Sequence, residues 1–128
     1  MKVFALAKSV SISPRKVSPV ASLVRGRTVA DALVILSHTP RNAALPVIKT
    51  IKSAQANADH NHNMKPDTLK IVEITVTPGP RSKRFRPVSR GMAHPYQKRT
   101  SHIRVVVDGE MRAPKKVSTA KVVSKETK

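Results

Sequence analysis

The apolar positions of this chain run first with a period of two, then at three-and-four spacing, then with a period of two again. Residues 3–12 alternate, with Phe4, Leu6, Val10 and Ile12 on one face, interrupted by Lys8, and the small Ala5, Ala7, Ser9 and Ser11 on the other. This is the pattern of a half-buried strand whose larger side chains form the apolar face. Ser13-Pro14-Arg15-Lys16 then places an N-cap acceptor before a proline at the first helical position, where a missing N–H leaves nothing unpaired, so a helix is expected to start there and end near Gly26. Pro19 removes one backbone bond and predicts a bent helix, or a restart with Ser18 as cap. Residues 28–36 give the cleanest helix: Thr28 caps it with Asp31 three residues on, and Val29, Ala32, Leu33 and Leu36 recur at helical spacing as core. Thr39-Pro40 repeats the cap-then-proline signal and predicts a third helix with Ala44, Val47, Ile48, Ile51, Ala54 and Ala58 on its apolar face. Pro46 either kinks that helix or delays its regular part. It ends in Asp59-His60-Asn61-His62-Asn63.

Two β-branched runs follow, residues 69–76 with Val72, Ile74 and Val76 on one face, and residues 103–107 with Ile103, Val105 and Val107 on one face. Pro66-Asp67 and Asp108-Gly109 mark the turns into and out of this region. Residues 77–100 between the runs contain no acid and have little with which to build a core. A segment this long inside a small domain is disordered or functional, and its flanks suggest the legs of an antiparallel hairpin reaching on the order of 40 Å from its base. Arg90-Gly91 lies mid-segment, where a chain must reverse and glycine tolerates positive φ, which places the turn around residues 89–93. The fold class is therefore α+β. The expected organisation is one domain over residues 1–110, including an extended hairpin at 77–102, and a basic, flexible tail over 111–128, with helix formation on RNA as the alternative for the tail.

Charge sharpens the picture. The 128 residues carry a formal net charge of +18, as expected for a protein that neutralises many phosphates. Between Glu73 and Asp108 stand Arg81, Lys83, Arg84, Arg86, Arg90, Lys98, Arg99 and Arg104 with no carboxylate, so the finger should seek a polyanion. Arg15, Lys16, Arg25 and Arg27 bracket the first helix with no acid before Asp31, and phosphate contact is the preferred reading over an ordinary solvated face. Anionic membrane is the rival partner, but no apolar run approaches the roughly 20 residues of a span and no signal-peptide pattern opens the chain, so it reads as soluble and intracellular. With no cysteine, disulfides, thiolate zinc sites and cysteine nucleophiles are excluded. Phe4, Phe85 and Tyr96 are the whole aromatic stock, poor material for recognition by base stacking, which favours backbone and shape recognition.

Catalysis has no foothold here. The acids are scattered singly, the histidines lie mostly near helix ends or loops, and the four glycines sit singly at turns, so neither a catalytic constellation nor a phosphate loop assembles. The Asp59 to Asn63 cluster invites a metal reading, but a structural site wants four placed ligands, and Asn and His are common where helices stop. The chain is expected to be a binder with no cofactor and no metal, not an enzyme.

The chain resembles the bacterial large-subunit ribosomal protein twenty-two family. The matching residues are Ser13-Pro14-Arg15-Lys16, Arg25-Gly26, Val29-Ala30-Asp31-Ala32-Leu33, Thr39-Pro40, Lys52-Ser53-Ala54, Ala56-Asn57-Ala58, Gly79-Pro80, Lys83-Arg84-Phe85-Arg86-Pro87, Arg90-Gly91 and Lys98-Arg99-Thr100-Ser101-His102-Ile103. The resemblance spans roughly residues 3–107, and its most specific piece is the basic hairpin ending Lys-Arg-Thr-Ser-His before a valine-rich strand. It implies a three-stranded antiparallel sheet packed on three helices, early binding to large-subunit rRNA, a hairpin along the nascent-peptide exit tunnel, and a cytoplasmic location in the large ribosomal subunit, with an organellar ribosome left open. The implied partners are rRNA, neighbouring ribosomal proteins and nascent peptide in transit. Candidate RNA-binding residues are Lys8, Arg15, Lys16, Arg25, Arg27, Arg81, Lys83, Arg84, Arg86, Arg90, Lys98, Arg99, His102 and Arg104; the tunnel-lining tip would be Ser89, Arg90, Gly91, Met92 and Ala93. The chain departs from the family at Pro19 and Pro46, and at Met92, Pro95 and Tyr96, which make the returning leg less cationic. The competing function is an architectural DNA-binding protein with a basic β-arm. A membrane-active cationic peptide is disfavoured because the charge sits on a finger lacking Trp and Leu.

Overall fold

Alternation and helical spacing resolve into β1 (Lys2–Val10), α1 (Pro14–Val24), α2 (Val29–Ser37), α3 (Ala44–His62), β2 (Lys70–Pro87) and β3 (Ala93–Asp108), with 3-10 turns at Pro66–Thr68 and Ser89–Gly91. The structure, a computed structural model, describes residues 1–112. The basic tail expected over 111–128 falls outside the described residues except for Met111 and Arg112. These two stay on the body of the protein: Met111 bridges to Met64, the Arg112 amide donates to Asn63 O at 2.7 Å, and its guanidinium lies 3.6 Å from Asp59.

The sheet has the order β1-β3-β2, all antiparallel. Helix α3 packs on β1 and β3, and α1 packs on β2, so one sheet face is covered and the other is left open by the described residues. The core between them is built from Val17, Val20, Val24, Leu36, Val47 and Ile51 of the helices and Ile71, Ile74, Ile103, Val105 and Val107 of the sheet. Asp108 closes the end of the sheet by accepting from the Met1 ammonium at 2.7 Å and the Gly109 amide at 2.9 Å; the ammonium chiefly holds its carboxyl below the usual range.

Part of the helical punctuation behaves as its chemistry dictates, although Ser13, expected to cap α1, makes no capping hydrogen bond with its side chain. Thr28 accepts the Asp31 amide at 3.2 Å and donates to the Asp31 carboxylate at 2.7 Å, a reciprocal cap. Asn63 ends α3 in the left-handed region at φ 49°, a conformation that asparagine tolerates. Helix α1 runs through Pro19 without a break and buries Val17, Val20, Ala21 and Val24.

Four expectations are corrected. In β1 the buried residues are Val3 and Ala5, while Phe4 is 56% and Leu6 46% exposed. Val3 and Ala5 pair with Val107 and Val105 and so share their inward face; an extra residue between Ala7 and Val10, with Ser9 at φ 54°, then switches the alternation and returns Val10 and Ile12 to the core. A second extra residue, in β2 between Ile71 and Glu73, lets Ile71 and Ile74 both face inward and turns Val72 out to solvent. Thr39 does not open α3: its hydroxyl donates to Ile35 O at 2.8 Å, finishing α2 instead. The helix starts at Ala44, which leaves Pro46 in its first turn, where the absent N–H has no partner to lose. Leu33, expected in the core, is only half-buried against it.

Candidate nucleic-acid interface

Beyond the body, β2 and β3 continue as a two-stranded ribbon with none of the other described residues packed on either side. The register pairs Arg81 with Arg99, Ser82 with Lys98, Lys83 with Gln97, Arg84 with Tyr96, Phe85 with Pro95, Arg86 with His94 and Pro87 with Ala93. At roughly 3.3 Å per residue the legs extend about 35 Å from Thr77 to Pro87. Every residue from 81 to 99 is exposed. Among the described residues, the ion pairs are Met1 with Asp108 and Arg112 with Asp59, and none of them neutralises a cation of the finger. A ribbon of this kind gains little from its own side chains and holds its positive charge in water, ready to exchange counterions for phosphate.

The reversal occurs over Ser89–Gly91, with Arg90 at φ 59° and Gly91 at φ 70°. The Val88 amide donates to Met92 O at 2.8 Å, which closes the turn. Arg90 therefore occupies a left-handed conformation that costs a non-glycine residue free energy. Ser89, Arg90, Gly91, Met92 and Ala93 are all exposed at the end of the ribbon.

Where the ribbon leaves the body, three segments are tied together. The Ser9 amide, displaced by the irregularity in β1, donates to His102 Nδ1 at 2.9 Å. An irregularity in β2 between Pro78 and Arg81 brings Gly79 so close that a Cβ there would lie 2.5 Å from Thr100 Oγ1 and 3.3 Å from the His102 ring. Thr100 Oγ1 is itself committed, donating to Pro80 O at 2.7 Å. His102 is half-buried in this knot, so one ring nitrogen serves the fold.

The cations expected on the body fall into two groups. Arg15 and Lys16 line a cleft of about 510 Å³ with Ser11, Ser13, Arg41 and Asn42. Arg15 also borders a shallow groove with Ser18, Ser22, Arg25 and Val76, which carries the basic face of α1 to the base of the hairpin. Arg25 donates from Nη2 to Ile74 O at 3.0 Å and Arg27 from Nε to Leu23 O at 3.0 Å, so each spends part of its guanidinium on the fold and keeps its remaining donors outward. Lys8 and Arg104 lie on the open face of the sheet. The fold thus joins Arg25, Arg104, His102 and the finger cations around one end of the molecule. Arg27 sits apart, where the segment after α1 pairs with the edge of β2.

Sequence reasoning missed Arg41, because Thr39-Pro40 was read as the start of α3; once that helix starts late, Arg41 lies on a loop facing Arg15 and Lys16. It also missed Phe4 as a surface residue. The Arg104 guanidinium lies 5.1 Å from the centre of the Phe4 ring, and Arg86 lies 5.7 Å from that of Tyr96. No helix among the described residues is long and apolar enough to cross a membrane.

A family model described as ribosomal protein L22p/L17e matches residues 5–108. The chain is similar to the large ribosomal subunit protein uL22 of Desulfitobacterium hafniense (strain DSM 10664 / DCB-2), 52% identical over 103 residues that cover 80% of this chain and 90% of the relative. It is also 52% identical over 107 residues to the protein of the same description from Oceanobacillus iheyensis, covering 84% and 95%. The corresponding protein of Clostridioides difficile (strain 630) is 50% identical over 107 residues, covering 84% and 96%.

Proposed function

The chain belongs to the ribosomal protein L22p/L17e family, and as a structural constituent of the large ribosomal subunit, associated with its rRNA and not an enzyme, we propose that it anchors on rRNA through its cationic finger and α1 face and presents the hairpin tip to nascent peptide in the exit tunnel. The observation that carries this reading is the ribbon itself: a long, acid-free hairpin with every residue from 81 to 99 exposed. A free protein gains nothing from such an element, whereas a groove walled by phosphate holds it along its whole length. Lys8, Arg15, Lys16, Arg25, Arg81, Lys83, Arg84, Arg86, Lys98, Arg99 and Arg104 supply the phosphate contacts, while Arg27 and the second ring nitrogen of His102 contribute from positions partly used by the fold. Ser89, Arg90, Gly91, Met92 and Ala93 face the passage. The folded body, residues 1–110, works as one RNA-binding unit beside neighbouring ribosomal proteins, in the cytoplasm. Architectural DNA binding is not favoured for a member of this family.

Cross-linking from a nascent chain stalled on ribosomes carrying this protein tests the finer part. Photoreactive groups on the peptide should mark residues 90–93. Cross-links confined to rRNA would remove the tunnel role and leave the ribosomal assignment standing.

A further inference from the structure

We infer that the open face of the sheet is a base-stacking surface for unpaired nucleotides of rRNA, built on two aromatic residues each covered by an arginine: Phe4 with Arg104 and Tyr96 with Arg86. The inference rests on the reading of the chain as an rRNA binder and goes beyond it, because phosphate contact alone does not require an aromatic residue anywhere.

The open face follows from the register. Both irregularities between β2 and β3 place their extra residue in β2, and that between β1 and β3 places it in β1, so β3 alternates without interruption from Ala93 to Asp108. Ile103, Val105 and Val107 face the helices; Arg104 stands on the opposite side, and by the same alternation so do His102, Lys98 and Tyr96. Phe4 pairs with Val106 and Leu6 with Arg104, which sets Phe4 beside Arg104 on that side. Arg84 pairs with Tyr96, and Arg86 lies two pairs further along, opposite His94. β3 therefore supplies one member of each aromatic–arginine pair, Arg104 and Tyr96, about 26 Å apart along the strand.

The register turns Phe4 outward, opposite the inward Val3 and Ala5, and sets it against Val106, which is 7% exposed on that face, but most of the ring is left in water. Alternation across residues 3–12 would have buried it, yet it is 56% exposed, beside Leu6 at 46%, over a core already filled by Val3 and Ala5. The Arg104 guanidinium lies 5.1 Å from the centre of the ring, within cation–π reach, and the two groups together offer a cationic, aromatic surface against which a base can stack. The surroundings favour a nucleic acid over an apolar protein surface. Lys2, Lys8, Lys98, Arg84, Arg86 and Arg104 ring the two stacks, and a protein partner covering the aromatic groups would have to desolvate them. Among the described residues the carboxylates on this side are Glu73 and Asp108, at the same end as Phe4: Glu73 and Phe4 flank Val106 from opposite strands, with Glu73 accepting from the Thr75 hydroxyl and Asp108 from the amino terminus. Every base has a π face, so the surface requires unpaired nucleotides without specifying sequence.

The chain contains no tryptophan, so Phe4→Trp and Tyr96→Trp each report from one stack alone. Each variant, as the full chain, is titrated with a transcript of its own large-subunit rRNA, and retention of the complex on a filter records binding independently. Quenched emission on binding is the expected result. Unchanged emission with the RNA retained overturns the stacking proposal, as does an emission change that appears only when other large-subunit proteins are added, which would assign the face to a protein. Failure of the unsubstituted chain to retain this RNA at low salt would overturn the rRNA reading itself. Affinity gives a second test: Phe4→Leu keeps an apolar side chain on an exposed site and removes the ring, so binding should weaken roughly 5- to 100-fold with an unchanged salt slope, whereas Lys98→Gln should lower the slope by about 0.7–0.9. A Phe4→Leu affinity within about twofold of the parent also overturns the proposal.

Discussion

Arg81 stands directly opposite Arg99 across the hairpin. Like charges in that relation destabilise an isolated ribbon, and the chain supplies no carboxylate between Glu73 and Asp108 to offset them. The pair makes sense only with a polyanion against it. Binding to large-subunit rRNA should therefore be steeply salt-dependent, with a log–log slope approaching about −6 to −7 if each finger cation meets a phosphate. Arg99→Gln should reduce that slope by about 0.7–0.9 and leave the melting temperature of the free protein unchanged or slightly raised. Filter binding over a salt series measures the slope; a value shallower than about −2 rejects the phosphate-dominated interface.

The hairpin's exit angle depends on the knot of Ser9, Gly79, Thr100 and His102. Gly79→Ala adds a Cβ into contact with Thr100 Oγ1, which cannot swing away without giving up Pro80 O. Crowding of this kind costs about 1–3 kcal/mol. His102→Ala leaves the Ser9 amide without its acceptor, at about 0.5–1.5 kcal/mol. Because both act on one knot, the double variant should lose less than the sum of the single losses. Urea unfolding of the four proteins closes the cycle, and strict additivity would show that the two groups act independently.

What was legible in the sequence was local chemistry. Thr28 with Asp31, Asn63, Pro14 and Arg90-Gly91 each act within a few residues of themselves, and each does in the structure what its side chain or backbone preference dictates. The acid-free finger was legible for the same reason, since charge needs no partner element to be seen. Burial was less legible where one extra residue reverses the alternation. Ser9 and Val72 give no strong signal for an irregular strand, so Phe4 and Leu6 looked like core and Ile71 was passed over. Helix starts were misread where two cap signals competed: Thr39-Pro40 precedes the true start of α3, and only the fold shows that its hydroxyl is committed to the helix before it.

Burial predicts where truncation is costly. Leu36 is 1% exposed, and Leu36→Ala should destabilise by about 2–5 kcal/mol. Leu33, one turn away and half-buried, should lose only roughly 1 kcal/mol on the same change. Deleting residues 82–97 and closing the legs with a short turn removes only exposed side chains, so the sheet and helices should persist with a nearly unchanged thermal midpoint. Calorimetry of the three variants ranks them. A deletion that unfolds the protein as severely as Leu36→Ala would contradict the separation of finger from core.

At the tip, charge and conformation can be separated because they reside on adjacent residues. Arg90 holds φ 59° and Gly91 φ 70°, and the left-handed region costs a residue with a Cβ about 1–2 kcal/mol. Arg90→Ala leaves that cost in place, since alanine also has a Cβ, and removes only the cation. The turn should survive, with the Val88 amide still protected by Met92 O, while the RNA salt slope falls by about 0.7–0.9 if Arg90 meets phosphate, or stays unchanged if Arg90 faces the peptide passage. Gly91→Val does the reverse. It forces a β-branched residue into the left-handed region, so amide exchange at Val88 should accelerate toward that of an open loop, yet no charge is lost and the slope should hold. Exchange measured by nuclear magnetic resonance on both variants, together with the salt series, reads the two effects independently. If Arg90→Ala opens the turn as fully as Gly91→Val, the arginine side chain and not the backbone sets the reversal, and the assignment of the tip conformation to Gly91 fails.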